Sequence, residues 1–456
     1  MFARFSKRTI GRAQRSPLNI AGYTTLALLV CGLGVVVFPD AFLNKVLKGR
    51  ITQAWAEAYP DYSIRLASVH YSIWENRLEC DSVSIMKTDS SLSCSVTMIA
   101  VSGMDRMQLV WGGGPAPENL GSSHAEAEGI VLGLLRSHYE LRCARMRISV
   151  PDSAFGLDSL ELRPPMEDEQ FFEGSKFRTT RYRLVLPRCR VTGLACLGLL
   201  QGQNYRARTV EIDHASLSVL LNKDKPVNGH GPSFPMPNVM ISSIKKPLHI
   251  DSISIMNGRL MYGERFGVGL APAMLTCDSM KVTAERIDNI AGSGGTAVVR
   301  AEGLLMNTGA MSVRISMPFS TPDLSFRYSG SLGGMHLRNL NPFLEIAERK
   351  RLKTGILHAA AFDIDVTAGR ASGTARATYE DLKIVAIDDR TGSESGVGNT
   401  VVSFFANNIK LRTTNMPDKS GSVKIGAVNY TRARDEAFLE FSWFALRSGI
   451  SDVVGF

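Results

Sequence analysis

Apolar residues recur at every second position in short runs along most of the chain. In Lys246–Tyr262, KPLHIDSISIMNGRLMY, Ile250, Ile253 and Ile255 precede Asn257-Gly258, and Leu260 and Tyr262 follow it. The pattern predicts two short strands joined by a tight turn, because both central residues of a type I′ turn need positive φ, which Gly takes freely and Asn tolerates. The same cadence returns in 62–86, 205–221, 356–379 and 422–430. Strands with one apolar face each need a cover for that face: a second sheet, a helix or a ligand.

The period changes in two places. Between Pro39 and Pro60, Leu43, Val46, Leu47, Ile51, Ala54, Trp55 and Ala58 fall three and four apart, which predicts a helix with one apolar stripe. In Asp435–Phe456 the seam Leu439, Trp443, Leu446, Ile450 and Val453 has the same spacing, as in a cap that buries its seam in its own domain. Leu340–Lys350 and Thr192–Gln203 are short helix candidates, and Arg163–Lys176 is an acidic excursion with proline. Trp111–Ser123, Asn222–Asn238 and Asp388–Thr400 read as loops, the second marking a lobe boundary near 222–240.

One stretch breaks the sheet pattern altogether. Leu18–Phe38 is 21 residues without a charge, and at about 1.5 Å per residue it matches a hydrocarbon core of roughly 30 Å. Arg4, Lys7, Arg8, Arg12 and Arg15 precede it with no acidic residue, so the positive-inside bias keeps the amino terminus cytoplasmic and translocates the chain beyond Pro39. A cleaved signal peptide is the rival reading, but no small-x-small site follows Phe38. Cys31 raises a lipoprotein reading, for which Val30 is a poor fit.

Composition adds little beyond this. Five of the net +9 charges sit in the basic arm, so the remainder is only mildly basic and is not expected to bind nucleic acid. Six cysteines, Cys80, Cys94, Cys143, Cys189, Cys196 and Cys277, lie beyond the apolar span. Cys80 and Cys94 lie on the arms of a hairpin turning at Lys87–Ser91, which leaves open a cross-strand disulfide or buried free thiols. No C-x-x-C, nucleophile elbow, P-loop, dinucleotide fingerprint, H-E-x-x-H or EF-hand loop occurs, and the eight histidines have no metal spacing. The carboxylate pairs Glu380/Asp381 and Asp388/Asp389 are strand neighbours that point to opposite faces. The expectation is a non-catalytic protein with no metal and no cofactor.

Laid out in this way, the chain resembles the AsmA-like family of inner-membrane-anchored proteins, within the wider group of repeating β-groove, bridge-like lipid-transfer proteins. The apolar span runs into a helix and then YPDYSIRLASVHYSIWENRLECDSVSI, similar to that family's opening strand pair; KPLHIDSISIMNGRLMY resembles its strand, turn, strand signature. RYRLVLPRCRVTGLACLGLLQGQNYRARTVEIDHASLSVLLNKDKP is similar to its middle segment, and LNPFLEIAERKRLKTGILHAAAFDIDVTAGRASGTARATYEDLKI to its carboxy-terminal portion. The resemblance implies a mainly β fold: a transmembrane helix, then an elongated, curved, amphipathic antiparallel sheet with a few short helices and a C-terminal amphipathic helix. It implies a cytoplasmic basic arm at 1–17, an anchor at 18–38, a linking helix at 39–59, a periplasmic β domain at 60–434 and the last helix at 435–456.

The implied function is lipid binding or transfer in outer-membrane biogenesis or envelope maintenance. Its partners are the inner membrane and a phospholipid or other acyl lipid. The candidates to line an apolar groove are Ile64, Leu66, Ile212, Leu217, Ile253, Ile255, Phe362, Ile364 and Val366. Two sheets packed on each other explain the same alternation without any ligand. A membrane-tethered scaffold that binds an envelope protein through its strand edges is the other functional class.

Overall fold

The computed structural model describes residues 39–72, 74–104, 120–229, 235–290, 295–319, 323–387 and 411–455. The expected span Leu18–Phe38 and the loop 388–400 lie outside the described residues, as does most of the loop 111–123. Among the described residues no helix is long and apolar enough to cross a membrane.

The fold is mainly β, with every strand among the described residues in one sheet. In chain order these are β1 (Tyr62–Arg65), β2 (Ser68–Ser72), β3 (Arg77–Lys87), β4 (Leu92–Ser102), β5 (His124–Leu134), β6 (Tyr139–Ser149), β7 (Ala154–Arg163) and β8 (Thr180–Thr192). Next come β9 (Tyr205–Asp213), β10 (Ser216–Asn222), β11 (Leu248–Arg265), β12 (Ala273–Asp288), β13 (Ala297–Leu305) and β14 (Gly309–Met317). The last are β15 (Phe326–Leu332), β16 (Met335–His336), β17 (Lys350–Thr367), β18 (Arg370–Ala386) and β19 (Ile425–Thr431). The helices are α1 (Pro39–Ala58), α2 (Asp168–Glu173), α3 (Cys196–Leu200), α4 (Pro237–Ser242), α5 (Asn341–Ala347) and α6 (Phe438–Val454), with a 3₁₀ turn at Leu337–Leu340.

Pairing is sequential and nearly all antiparallel. β1 and β2 share the first edge against β3, the ladder runs strand by strand to β8, and β11 to β14 and β17 to β19 continue it. β15 and β16 together fill the place between β14 and β17. The exception to the antiparallel order expected from the hairpins is in the middle. β9 and β10 lie end to end, both antiparallel to β8 and both parallel to β11. A parallel neighbour requires a crossover, and residues 223–247, including α4, supply it. The sheet is therefore mixed, and its ladder continues across the segment that was expected to separate one lobe from the next.

Asn257-Gly258 makes no hairpin. It lies inside the single long strand β11, with Asn257 at φ 55°. The local sequence signals a residue with positive φ, and a bulge satisfies that need as well as a turn does. Ser82, Gly129, Ser159, His214 and Ser279 have the same left-handed backbone at φ 47°, 62°, 53°, 57° and 52°. They sit at one level of β3, β5, β7, the β9–β10 junction and β12. At Gly129 the choice is also steric, because a Cβ there would overlap the Thr97 side chain. Pro187, which has no N–H to donate, stands in β8 opposite the junction at His214, between the pairs Arg188–Asp213 and Val185–Ser216.

This line of bulges resets the side-chain phase. Leu78 and Cys80 share a face with Ile85 across an odd spacing, as Leu157 does with Leu160. Strict alternation would have sent the second set to solvent.

The hairpin Lys87–Ser91 forms as expected, joining β3 to β4. Cys80 faces Ile99 and Cys94 faces Ile85, so the two thiols are not opposed, and all described cysteines are free.

Candidate functional site

The registers align three apolar rows on one face. The first runs Tyr71, Leu78, Val101, Ala125, Ile148, Phe155, Val191, Val210, Ile253, Ala284, Val299, Ile315, Tyr328, Ile364, Gly373, Val428, from one sheet edge to the other. The second runs beside it through Val69, Cys80, Ile99, Ala127, Met146, Leu157, Cys189, Ile212, Ile255, Val282, Ala301, Val313, Gly330, Phe362, Ala375 and Gly426. Across the bulges a third row links Ile64, Ile85, Cys94, Leu132, Leu141, Leu162, Leu184, Leu217, Leu260, Cys277 and Leu305. No charged side chain interrupts any of them. At ~4.8 Å per strand the full ladder extends roughly 70 Å.

The opposite face is polar. Arg145 pairs Glu126 at 3.2 Å and Glu128 at 2.7 Å, Arg300 pairs Glu285 at 2.8 Å, and Arg327 grips Asp363 through two nitrogens at 3.0 and 2.6 Å. These are solvent-exposed pairs, screened by water and weak contributors to stability.

The two ends of the apolar face are roofed by helices. At the first edge Leu47 of α1 is buried among Leu66, Val69, Tyr71 and Leu78. The contact stripe is narrower than the spacing suggested: Leu47, Ile51 and Trp55 turn inward, while Val46, Ala54 and Ala58 are exposed. At the last edge α6 lies across β18 and β19. Its buried residues are Phe441, Ala445, Gly449, Val453 and Val454, so the stripe is rotated from the expected seam and Leu439 is exposed. Small residues win because they let the helix axis approach the sheet. A bidentate Arg447–Glu348 pair at 2.6 and 2.9 Å and a Tyr328 hydroxyl donating to the Ser442 carbonyl at 3.0 Å hold the helix in place.

Between these roofs no second sheet covers the face among the described residues. In the third row six neighbouring strands contribute leucine, and Leu132, Leu141, Leu162, Leu184, Leu217 and Leu260 are all half-buried. Completing the burial of such side chains is worth on the order of 1 kcal/mol each.

The sequence-derived candidates divide accordingly. Ile253 and Ile364 fall in the first row, Ile212, Ile255 and Phe362 in the second, Ile64 and Leu217 in the third. Ile364 and Val366 are buried to 0% and 3% exposure with α6 over them, and Leu66 is buried with α1. These three are core residues, closed off from any ligand. Sequence alternation does not single out the leucines of β5 to β8, because the phase reset at Gly129 and Ser159 breaks the pattern that would have marked them.

Beside Leu217 the face deepens into a cleft of about 470 Å³. Its floor is Leu217, Val219 and Leu221 of β10 with Tyr182 and Tyr262 on either side; Phe438, Leu439 and Glu440 of α6 and Val227, Pro237 and Met240 of the crossover form its walls. Behind it lies a buried charge cluster that no motif announced. The Lys223 ammonium stands 3.0 Å from Glu264 and 3.3 Å from Glu440, and the Tyr262 hydroxyl donates to Glu264 at 2.8 Å. Burial raises the Glu440 carboxyl above its ordinary range, against the opposing pull of Lys223. Burial likewise raises the Tyr262 phenol.

The wall is stiffened by arginines. Arg265, 4% exposed, pairs with Glu169 of α2 and Asp224 and stacks on Phe172, and Arg181 holds Asp168 through two 2.9 Å bonds.

Among the described residues no cluster of His, Cys, Asp and Glu is arranged to hold a metal. Compared with known proteins, the chain matches no family model and no curated protein.

Proposed function

We propose that this chain is a non-catalytic lipid-binding protein, tethered to the bacterial inner membrane through Leu18–Phe38, that holds acyl chains along the open part of its apolar face and contributes to lipid transfer across the envelope. The single observation that carries this reading is the row of six half-buried leucines on a sheet that has no partner sheet among the described residues. A protein face of that kind in water costs free energy that acyl chains remove, at about 0.8 kcal/mol per CH₂ covered. The AsmA-like resemblance points the same way, with the bulk of the chain periplasmic and the sheet elongated and curved into a groove.

Strand addition at the sheet edges is less well supported, because helix side chains occupy edge hydrogen-bonding groups. The Tyr71 N–H of β2 donates to Asn44 Oδ1 at 2.9 Å. On β19 the Ala427 N–H donates to Asp452 Oδ2 at 2.8 Å and the Asn429 N–H to Ser448 Oγ at 3.3 Å. Native mass spectrometry of the full chain released from membranes tests the reading. Phospholipid adducts that disappear in Leu162→Asp, with the fold retained by circular dichroism, are the expected result; a lipid-free wild type would sink it.

A further inference from the structure

We propose that the cleft beside Leu217 is a side opening of the apolar face, which admits one hydrocarbon chain bearing an anionic head group, tail first. The inference rests on the lipid-binding reading above and adds a place and an orientation to it. Three observations carry it.

The floor of the cleft belongs to the face itself. Leu217 pairs with Leu184 and Leu260 in the leucine row, so a chain lying along β10 on Val219 and Leu217 meets that row at Leu217. The opening is also rimmed by large apolar side chains with no structural reason to face water. Phe177, Val227, Met240 and Leu439 are 39%, 40%, 56% and 45% exposed, and they come from three separate regions of the chain. Apolar groups gathered about one concavity mark a binding site, whereas scattered ones do not. A volume of about 470 Å³ lies in the range of pockets that bind one small ligand.

Charge sets the direction. At the deep side the one ammonium, Lys223, is already shared by the Glu264 and Glu440 carboxylates. An anionic head group is repelled from that end. At the mouth the exposed Arg178 guanidinium and the exposed Asp435 carboxylate both line the opening, so a head group whose anionic part reaches Arg178 stays in water there while the tail enters. A free fatty acid and one chain of an anionic phospholipid share this chemistry.

Photocrosslinking of the full chain in its membrane tests the proposal, with diazirine-bearing palmitate in one arm and diazirine-bearing phosphatidylglycerol in the other. Saturable adducts on the 217–221 and 235–240 peptides are expected in at least one arm, and the reactive arm identifies the source. Leu217→Trp, which fills the cleft, should lower those adducts at least tenfold. Met240→Glu at the exposed rim should lower them severalfold without touching the core, so a folding defect in the first variant leaves the second to decide. Adducts along Leu141 and Leu162 but none in the cleft overturn the opening and leave the lipid-binding reading standing. Cleft adducts with none along the row support the opening and overturn the wider reading, and no adducts in either arm overturn both.

Discussion

Gly426 of β19 and Gly449 of α6 lie in direct backbone contact: a Cβ placed on Gly426 would overlap the Gly449 carbonyl, and one placed on Gly449 would press into Val428 and Ala375. The helix that closes the far end of the sheet is seated on this pair. Gly426→Ala and Gly449→Ala should each destabilise the chain by about 2–3 kcal/mol through overpacking. Chemical denaturation checks the size of the effect, and faster hydrogen exchange confined to α6 and β19 identifies its location.

Ile364 and Leu162 both lie on the apolar face, yet they should respond differently to the same change. Ile364 is fully buried, so Ile364→Asp leaves an uncompensated charge in the core and should cost more than about 4 kcal/mol. Leu162 is half-buried, so Leu162→Asp should cost about 2 kcal/mol and show its main effect in lost lipid. Thermal melts beside lipid extraction separate the two outcomes.

Lys223 is the one cation between Glu264 and Glu440. Lys223→Met should cost about 3 kcal/mol near neutral pH, because two carboxylates then remain buried without a counter-ion. Glu440 already has a raised folded pKa. A carboxyl of that kind contributes stability that is fully present below its unfolded pKa and is lost as pH rises through its folded pKa. The variant should therefore recover towards wild type as pH falls through the raised folded pKa, starting above the usual carboxylate range and complete once pH reaches that range. Melting temperature followed from neutral to acid pH gives the sign directly.

Asp452 and Asn44 cap backbone groups on opposite edges of the sheet. Asn44→Ala should cost about 1–2 kcal/mol for the partly buried Tyr71 N–H it orphans, Asp452→Ala should cost less because the Ala427 N–H is open to water, and both should leave an edge able to pair with another chain. Light scattering at rising concentration should show self-association in the double variant, and its absence would mean the edges are protected by other means.

Asn257 occupies a left-handed conformation in the middle of β11 and donates to Asp213 at 3.1 Å. Asn257→Ala should lose about 1–2 kcal/mol, and Asn257→Gly should restore most of it. If the segment were a flexible turn, neither change would move the melting temperature by more than a degree or two.

The same residue explains what could be read in the sequence. The alternation Ile253, Ile255, Leu260, Tyr262 located the strand material and its apolar side, and Asn-Gly located a positive φ. Sequence carries no mark that distinguishes a bulge within a strand from a turn between two, since both satisfy the same backbone need. Register could not be read either: that Leu162 meets Leu184, and Leu184 meets Leu217, depends on bulges at Ser159 and His214, residue types that rarely announce φ > 0. The parallel pairing of β9 and β10 with β11 was hidden because a proline-rich crossover has the composition of any surface loop. The Lys223–Glu264–Glu440 cluster was invisible for another reason. Its members come from a loop, a strand end and the last helix, and only tertiary packing makes them neighbours.

The ladder's sequential pairing has a consequence for size. Each antiparallel hairpin takes the chain out and back, so inserting one between β6 and β7 would leave every other strand with its direction and its phase, and would give a new partner only to β6 and β7. The molecule would grow by about 10 Å per inserted hairpin, while the helix at either terminus continued to fit the same outermost strand. Reach is thus a dimension this architecture can vary independently of how its extremities are sealed.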